Sequence, residues 1–200
     1  MDNGDGSATL YFSPDGLTWS GTLALAPNPE IVQNPEVVHP DFQHEDHRGR
    51  ILSYDDKSVP IRFVKTNISP SRKNVLRGIH VSDCYKLAYC PYGQIYVVVV
   101  DCREGETFGK WEAHIVWEKH PVQILVPPNF GLAHYVLSDW AVFEYRWSTP
   151  YDGKEQKTFA WNEPKFNIPW PLEHIVDAQT GESRSVEPIL SDRDKNAPHL

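Results

Sequence analysis

Between residues 61 and 161 the chain is a succession of short β-branched and aromatic runs, and no stretch of it sustains a helical period. Runs at 61–67, 75–81, 85–90, 94–101, 111–118, 122–126, 134–137, 140–147 and 158–161 are separated by turns such as Pro91-Tyr92-Gly93 and Pro127-Pro128-Asn129. Strands of this length at this spacing predict an all-β fold, an antiparallel β-sandwich or barrel, because each must bury a face against a second layer. Val97, Val98, Val99 and Val100 are apolar on both faces and belong inside a sheet. In 140–147, alternation puts Val142, Glu144 and Arg146 on one face and Phe143, Tyr145 and Trp147 on the other.

Two hundred residues, 40% of them apolar, suffice for one domain with a sizeable core. Residues 1–30 are rich in Gly, Asp, Asn and Pro and read as an N-terminal extension. It carries one hairpin signal, Leu10-Tyr11-Phe12, the turn Ser13-Pro14-Asp15-Gly16, and Leu17-Thr18-Trp19. Residues 31–172 form the sandwich domain, and the polar stretch 173–200 is a tail packed on it, wrapping the outside or forming a short peripheral helix. A net charge of −8 excludes an extended nucleic-acid footprint while leaving room for a small anionic ligand. No run of about 18 apolar residues is present and the start lacks the features of a signal peptide, so the expectation is a cytoplasmic protein without a membrane partner. Cys84, Cys90 and Cys102 lack CxxC spacing and read as reduced thiols.

The most suggestive stretch for chemistry is Asn74-Val75-Leu76-Arg77-Gly78-Ile79-His80, which sets an arginine and a histidine inside an apolar run. Three residues apart on a strand, Arg77 and His80 point to opposite faces unless a bulge intervenes, and Gly78 is where one would sit. With the bulge, a guanidinium fork and a group titrating near neutrality share one cavity. Without it, Arg77 is a surface residue and His80 a satisfied core histidine. No metal is expected: despite nine histidines, no HxH pair accompanies His80. A GxSxG elbow and a phosphate-cradling glycine loop are absent too. Proton transfer remains, with His80, Lys86, His134, Tyr145 and a carboxylate near the last strand as candidates. Lys86 in Tyr85-Lys86-Leu87 either snorkels outward or is buried to face an anionic intermediate. Arg48, beside Gly49 in a charged turn, is a candidate phosphate contact.

Taken in order, these pieces resemble the cupin-type nucleotide-sugar epimerases of the dTDP-4-dehydrorhamnose 3,5-epimerase family. The matching residues are Asp46-x-Arg48-Gly49, Asn67-x-Ser69-x-Ser71, Val75 to His80, Lys86-Leu87, Val100-Asp101-x-Arg103, Phe108-Gly109-Lys110-Trp111, Pro128 with Ala133-His134, Tyr145, Trp161-Asn162 and Trp170-Pro171. The resemblance implies a jelly-roll sandwich, a homodimer exchanging an N-terminal strand, and C3 and/or C5 epimerisation of a nucleoside-diphosphate-linked 4-keto-6-deoxy sugar without metal or redox cofactor. It implies His80 as base, Tyr145 as acid from the opposite face, and Lys86 near the enolate oxygen. Asn67, Arg77 and His134 become substrate contacts, and Arg48 a diphosphate contact from the partner subunit. Glu163, in Trp161-Asn162-Glu163, takes the place of the aspartate expected to orient the base.

Two departures bear on the substrate. Ile51 and Ser53 stand where dTDP-specific members place an aromatic residue and a glutamate beside the nucleobase. The 127–134 stretch reads as a loop longer than usual and, with Asn74-Val75-Leu76-Arg77-Gly78-Ile79-His80 and Pro188-Ile189-Leu190-Ser191-Asp192-Arg193-Asp194, is similar to epimerases of GDP-linked 4-keto heptoses. A ketoisomerase and a catalytically silent sugar-nucleotide-binding jelly roll are the alternatives; Tyr145 speaks against the first and Glu163 leaves the second open.

Overall fold

In the computed structural model, residues 8–12, 19–23, 35–55, 59, 61–150, 157–176, 179 and 182–200 are described. The strands are β1 (Ala8–Phe12), β2 (Trp19–Leu23), β3 (Glu36–Val38), β4 (Phe42–Asp46), β5 (Gly49–Ser53), β6 (Lys65–Arg72), β7 (Leu76–Val81), β8 (Lys86–Tyr92), β9 (Gln94–Asp101), β10 (Trp111–Trp117), β11 (Gln123–Val126), β12 (Phe130–Val136), β13 (Trp140–Trp147), β14 (Lys157–Thr158), β15 (His174–Val176) and β16 (Ser183–Ser185). Ten of them build two antiparallel five-stranded sheets, β10-β9-β12-β7-β14 and β3-β11-β8-β13-β6, with the jelly-roll character the sequence predicts. The hairpins β1-β2, β4-β5 and β15-β16 stand apart from these sheets. The first overlaps the signal in the extension at Leu10-Tyr11-Phe12 and at Trp19; Ser13 to Thr18 fall outside the described residues. The one helix among the described residues is the single turn α1 (Asp192–Lys195).

Apolar alternation stacks three layers. Between the sheets, Val97, Val99, Leu132 and Val136 of the first meet Ala88, Ile124, Val126, Ala141 and Phe143 of the second. On the outer face of the first sheet, Leu76, Ile79, Tyr96, Val98, Val100 and Tyr135 form a second core with Phe166, under Trp161, Ile168, Trp170, Leu172 and Leu190. The tail is therefore structural: Leu190 packs on this core and Ile189 bridges to Val75. At about 1.5–3 kcal/mol for each large apolar side chain buried, both faces of β9 contribute. A smaller cluster of Val38, Val59, Leu87 and Leu125 lies outside the second sheet.

Several strand boundaries differ from the expectation. The 61–67 run is displaced to Lys65–Arg72, because β6 is an edge strand and tolerates Pro70 where a central one does not. The 134–137 run begins at Phe130, so most of the presumed long 127–134 loop is buried strand. Gly131 hides that continuation, since its bare backbone lies against the Ile79 side chain. The 158–161 run survives only as Lys157–Thr158, and its remainder enters a turn that packs Phe166.

Candidate active site

The site is set by an extra residue in β7. Its neighbour β12 pairs Leu132 with His80 but His134 with Arg77, so β7 spends one residue more over the same span. That residue is Gly78, at φ +125°, where an added Cβ would come within 2.7 Å of Ala133 Cα and 2.9 Å of the Leu132 carbonyl. The bulge resets the alternation: Leu76 and Ile79 both enter the outer core, and Arg77 and His80 both line one cavity.

That cavity, about 270 Å³, opens between the sheets. The first sheet contributes Arg77, His80, Leu132 and His134, and the second contributes Lys65, Asn67, Ser69, Lys86, Phe143, Tyr145 and Trp147. Ser191, Arg193 and Asp194 enter from the tail. Lys65, Arg77, Lys86 and Arg193 thus face one carboxylate among the lining residues, on a chain whose net charge is −8. A cleft of that sign suits an anion.

The carboxylate beside His80 is Asp194, with Oδ1 2.7 Å from His80 Nε2. Its Oδ2 accepts the Ser191 hydroxyl at 2.8 Å. Burial acts to raise the Asp194 pKa, but the hydrogen bond and charge of His80, the Ser191 hydroxyl and the Gly78 N–H together hold it below the usual carboxylate value. An ionised Asp194 accepting from Nε2–H leaves Nδ1 as the basic nitrogen of His80. Glu163, expected in this role, is instead bonded to Leu200 N at 2.9 Å and paired with His199 Nδ1 at 3.1 Å. Sequence order could not tell which of the carboxylates downstream of the last long strand returns to β7. Asp194 did leave a signal, the Ser191-x-x-Asp194 spacing of a helix N-cap, and Ser191 does cap α1.

Lys86 is buried, with Nζ donating to the His80 carbonyl at 3.2 Å and standing 4.8 Å from the Trp147 ring centre. Burial, helped by Arg193, pushes its pKa down to about 8. His134 lies tilted against Phe143 at 4.2 Å between ring centres, and burial with the nearby Arg77 and His80 lowers its pKa to about 3, so it stands as a neutral imidazole. Tyr145 lies on the inward aromatic face of β13, 5.2 Å from Phe143, paired in register with Asn67. Of the sequence candidates, His80, Lys86, Tyr145, Asn67, Arg77 and His134 come together here. Arg48, Ile51 and Ser53 do not; they lie on the exposed β4-β5 hairpin, where Arg48 pairs with Asp46 at 2.6 Å. Lys65, Ser191, Arg193 and Asp194 were not foreseen in the site.

Residues 34–200 match the family model of the dTDP-4-dehydrorhamnose 3,5-epimerases. The chain is 33% identical to a dTDP-4-dehydrorhamnose 3,5-epimerase of Shigella flexneri over 68% of its own length and 71% of the relative's. It is 31% identical to a dTDP-4-dehydro-6-deoxyglucose 3-epimerase of a Streptomyces species over 78% of its length and 80% of that protein's. Among solved structures it is similar to dTDP-6-deoxy-D-glucose-3,5-epimerase of Legionella pneumophila in complex with dTDP-4-keto-L-rhamnose. There the TM-score is 0.68 at 27% identity, covering 82% of this chain and 92% of that one.

Proposed function

The chain belongs to the dTDP-4-dehydrorhamnose 3,5-epimerase family, and from that premise we propose that it inverts C3 and C5 of a nucleoside-diphosphate-linked 4-keto-6-deoxy sugar by proton transfer through an enolate. The observation that carries the reading is the pairing of His80 and Tyr145, one from each sheet, across a cavity that also holds Lys86. A C4 ketone acidifies the hydrogens on both neighbouring carbons. His80 takes one, the C–H electrons pass to the carbonyl oxygen, and the Lys86 ammonium offsets the enolate charge. Tyr145 returns a proton from the other face, the carbon inverts, and water restores both groups. His134, neutral, supplies a hydrogen-bond donor or acceptor to the sugar without adding charge, and Arg77 grips an anionic group.

Asp194 as the orienting carboxylate favours reaction at both carbons. A glutamate in that role would tilt the imidazole by its extra methylene, but Asp194 meets His80 at ordinary hydrogen-bond length. Each relative named above is called after a dTDP sugar, which supports thymidine as the nucleoside; guanine and a heptose rest on Ile51 and Ser53 and on the 74–80 and 188–194 stretches, the supposed loop at 127–134 being mostly strand. We further assign a homodimer in which an N-terminal strand is exchanged and the β4-β5 hairpin carries Arg48 to the partner's diphosphate. The exposure of Phe42 at 54% and Ile51 at 62% supports this, and sedimentation as a monomer at micromolar concentration would remove it.

The test is incubation in heavy water with dTDP- and GDP-linked 4-keto-6-deoxy sugars. Two deuterons per sugar are expected, at C3 and C5. One deuteron restricts the enzyme to a single carbon, and none with either nucleotide leaves a binding module.

A further inference from the structure

Residues 187–200 form a strap tied to the rest of the fold at three places. At its start, Ile189 N donates to the Asn74 carbonyl at 2.7 Å and Leu76 N donates to the Ile189 carbonyl at 3.0 Å, fixing the strap to the head of β7. In the middle, Arg193 donates to Thr158 Oγ1 of β14 at 2.7 Å and 3.1 Å, and Asp194 meets His80. Beyond α1, Ala160 N donates to the Pro198 carbonyl at 3.0 Å, and Glu163 takes hold of the next two residues. Its Oε2 accepts Leu200 N at 2.9 Å and pairs with His199 Nδ1 at 3.1 Å, and its Oε1 accepts Lys165 N at 3.0 Å.

Glu163 is itself held. It is buried, its N–H donates to the Ala160 carbonyl at 3.1 Å, and its carbonyl accepts Phe166 N at 3.1 Å in the turn that seats Phe166 in the outer core. Asp194 lies between the two outer ties on a helix of four residues. One helical turn has no cooperative stability of its own, so the position of α1 is set by its ties, Arg193 to Thr158 within the turn and those on either side of it.

We propose that Glu163 is a positioning residue for the proton-transfer pair: by tying His199 and Leu200 to the 160–166 turn it holds the strap so that Asp194 Oδ1 rests against His80 Nε2. This deepens the epimerase reading and rests on it. Glu163 touches neither His80 nor the cavity, and its effect on the reaction passes through Asp194. Removing the Glu163 carboxylate leaves the far tie with the Ala160–Pro198 bond alone and loosens α1 beyond Arg193, and a displacement near 1 Å at a reacting group costs about a hundredfold in rate.

A double-variant cycle tests this. Wild type, Glu163→Ala, Asp194→Asn and the double variant are compared by kcat and KM for isotope exchange. The same proteins are compared by the low-field proton resonance of the His80 Nε2–H, assigned by its absence in His80→Ala. Glu163→Ala is expected to lower kcat about 10- to 100-fold with KM within about twofold, and to lose or broaden the resonance. In the Asp194→Asn background the same change is expected to cost less than about twofold, because the interaction it supports is already gone. Glu163→Gln keeps one acceptor oxygen and the side-chain volume. It is the variant read if alanine does not fold, with a loss of about 3- to 10-fold. Equal fold-losses in both backgrounds, or an unchanged resonance in both Glu163 variants, overturn the proposal. A wild type without exchange refutes the epimerase reading instead, and the resonance still decides whether Glu163 positions Asp194.

Discussion

Lys86 is 2% exposed, with its ammonium group over an indole and against one backbone carbonyl, in an interior that penalises the charge. With its pKa lowered from 10.5 to about 8, folded and unfolded chains are both protonated below pH 8, and the full desolvation penalty is present there. Between about pH 8 and 10.5 the unfolded chain holds a proton that the folded one has released, so this residue's contribution to stability improves as pH rises. Lys86→Met is therefore expected to stabilise the fold at pH 7 by on the order of 1–3 kcal/mol, with the gain shrinking by pH 10, while kcat falls by at least a hundredfold. Thermal unfolding at both pH values checks the first part. A less stable variant at pH 7, or a gain that does not shrink, contradicts it. In wild type, kcat/KM should fall as pH rises through about 8. At this scale His80, Arg77, Lys86, His134 and Tyr145 were legible, because a polar group inside an apolar strand needs a reason. Asp194 was not, since it sits in a polar stretch that composition cannot separate from a solvated tail.

Elements were legible in proportion to how much of their pattern came from packing. Strands 94–101 and 140–147 match to the residue, the first because it is apolar on both faces, the second because its alternation is unbroken. β6 was misplaced because an edge strand with Pro70 and an inner face of Lys65, Asn67, Ser69 and Ser71 carries no hydrophobic signal. Its polar inner face is part of the site, and function erased the pattern there. The bulge in β7 was legible from Gly78, and it makes a prediction. Gly78→Ala adds a Cβ into Ala133 and the Leu132 carbonyl at a backbone angle that L side chains avoid. It should destabilise the fold by about 2–4 kcal/mol, lowering Tm by at least about 5 °C. It should also depress kcat in the protein that remains folded, because Arg77 and His80 no longer share a face. A Tm within 1–2 °C of wild type, a bound of that order being the ordinary effect of a neutral surface change, contradicts the role assigned to the bulge.

For the whole molecule, two stacked sheets open a cavity lined from both sides, so under the proposed function a sugar ring placed there would meet chemistry on both faces. Each sheet contributes what its register allows: the first, His80 on a bulged strand; the second, Tyr145 and Lys86 on neighbouring strands whose alternation is regular at those residues. The tail closes the third side and brings Asp194. The sandwich was legible from strand spacing, whereas the way residues 187–200 return to β7 was not, because contacts across more than a hundred residues leave no local periodicity. The central claim is that removal and return of the proton are divided between the two sheets, and isotope exchange in two variants tests it most directly. In heavy water with a dTDP-linked 4-keto-6-deoxy sugar, His80→Ala should incorporate no deuterium at C3 or C5. Tyr145→Phe should still wash deuterium into the sugar while the carbon keeps its configuration, since His80 can return the deuteron to the face it came from. Complete loss of exchange in Tyr145→Phe, or exchange surviving in His80→Ala, contradicts the account.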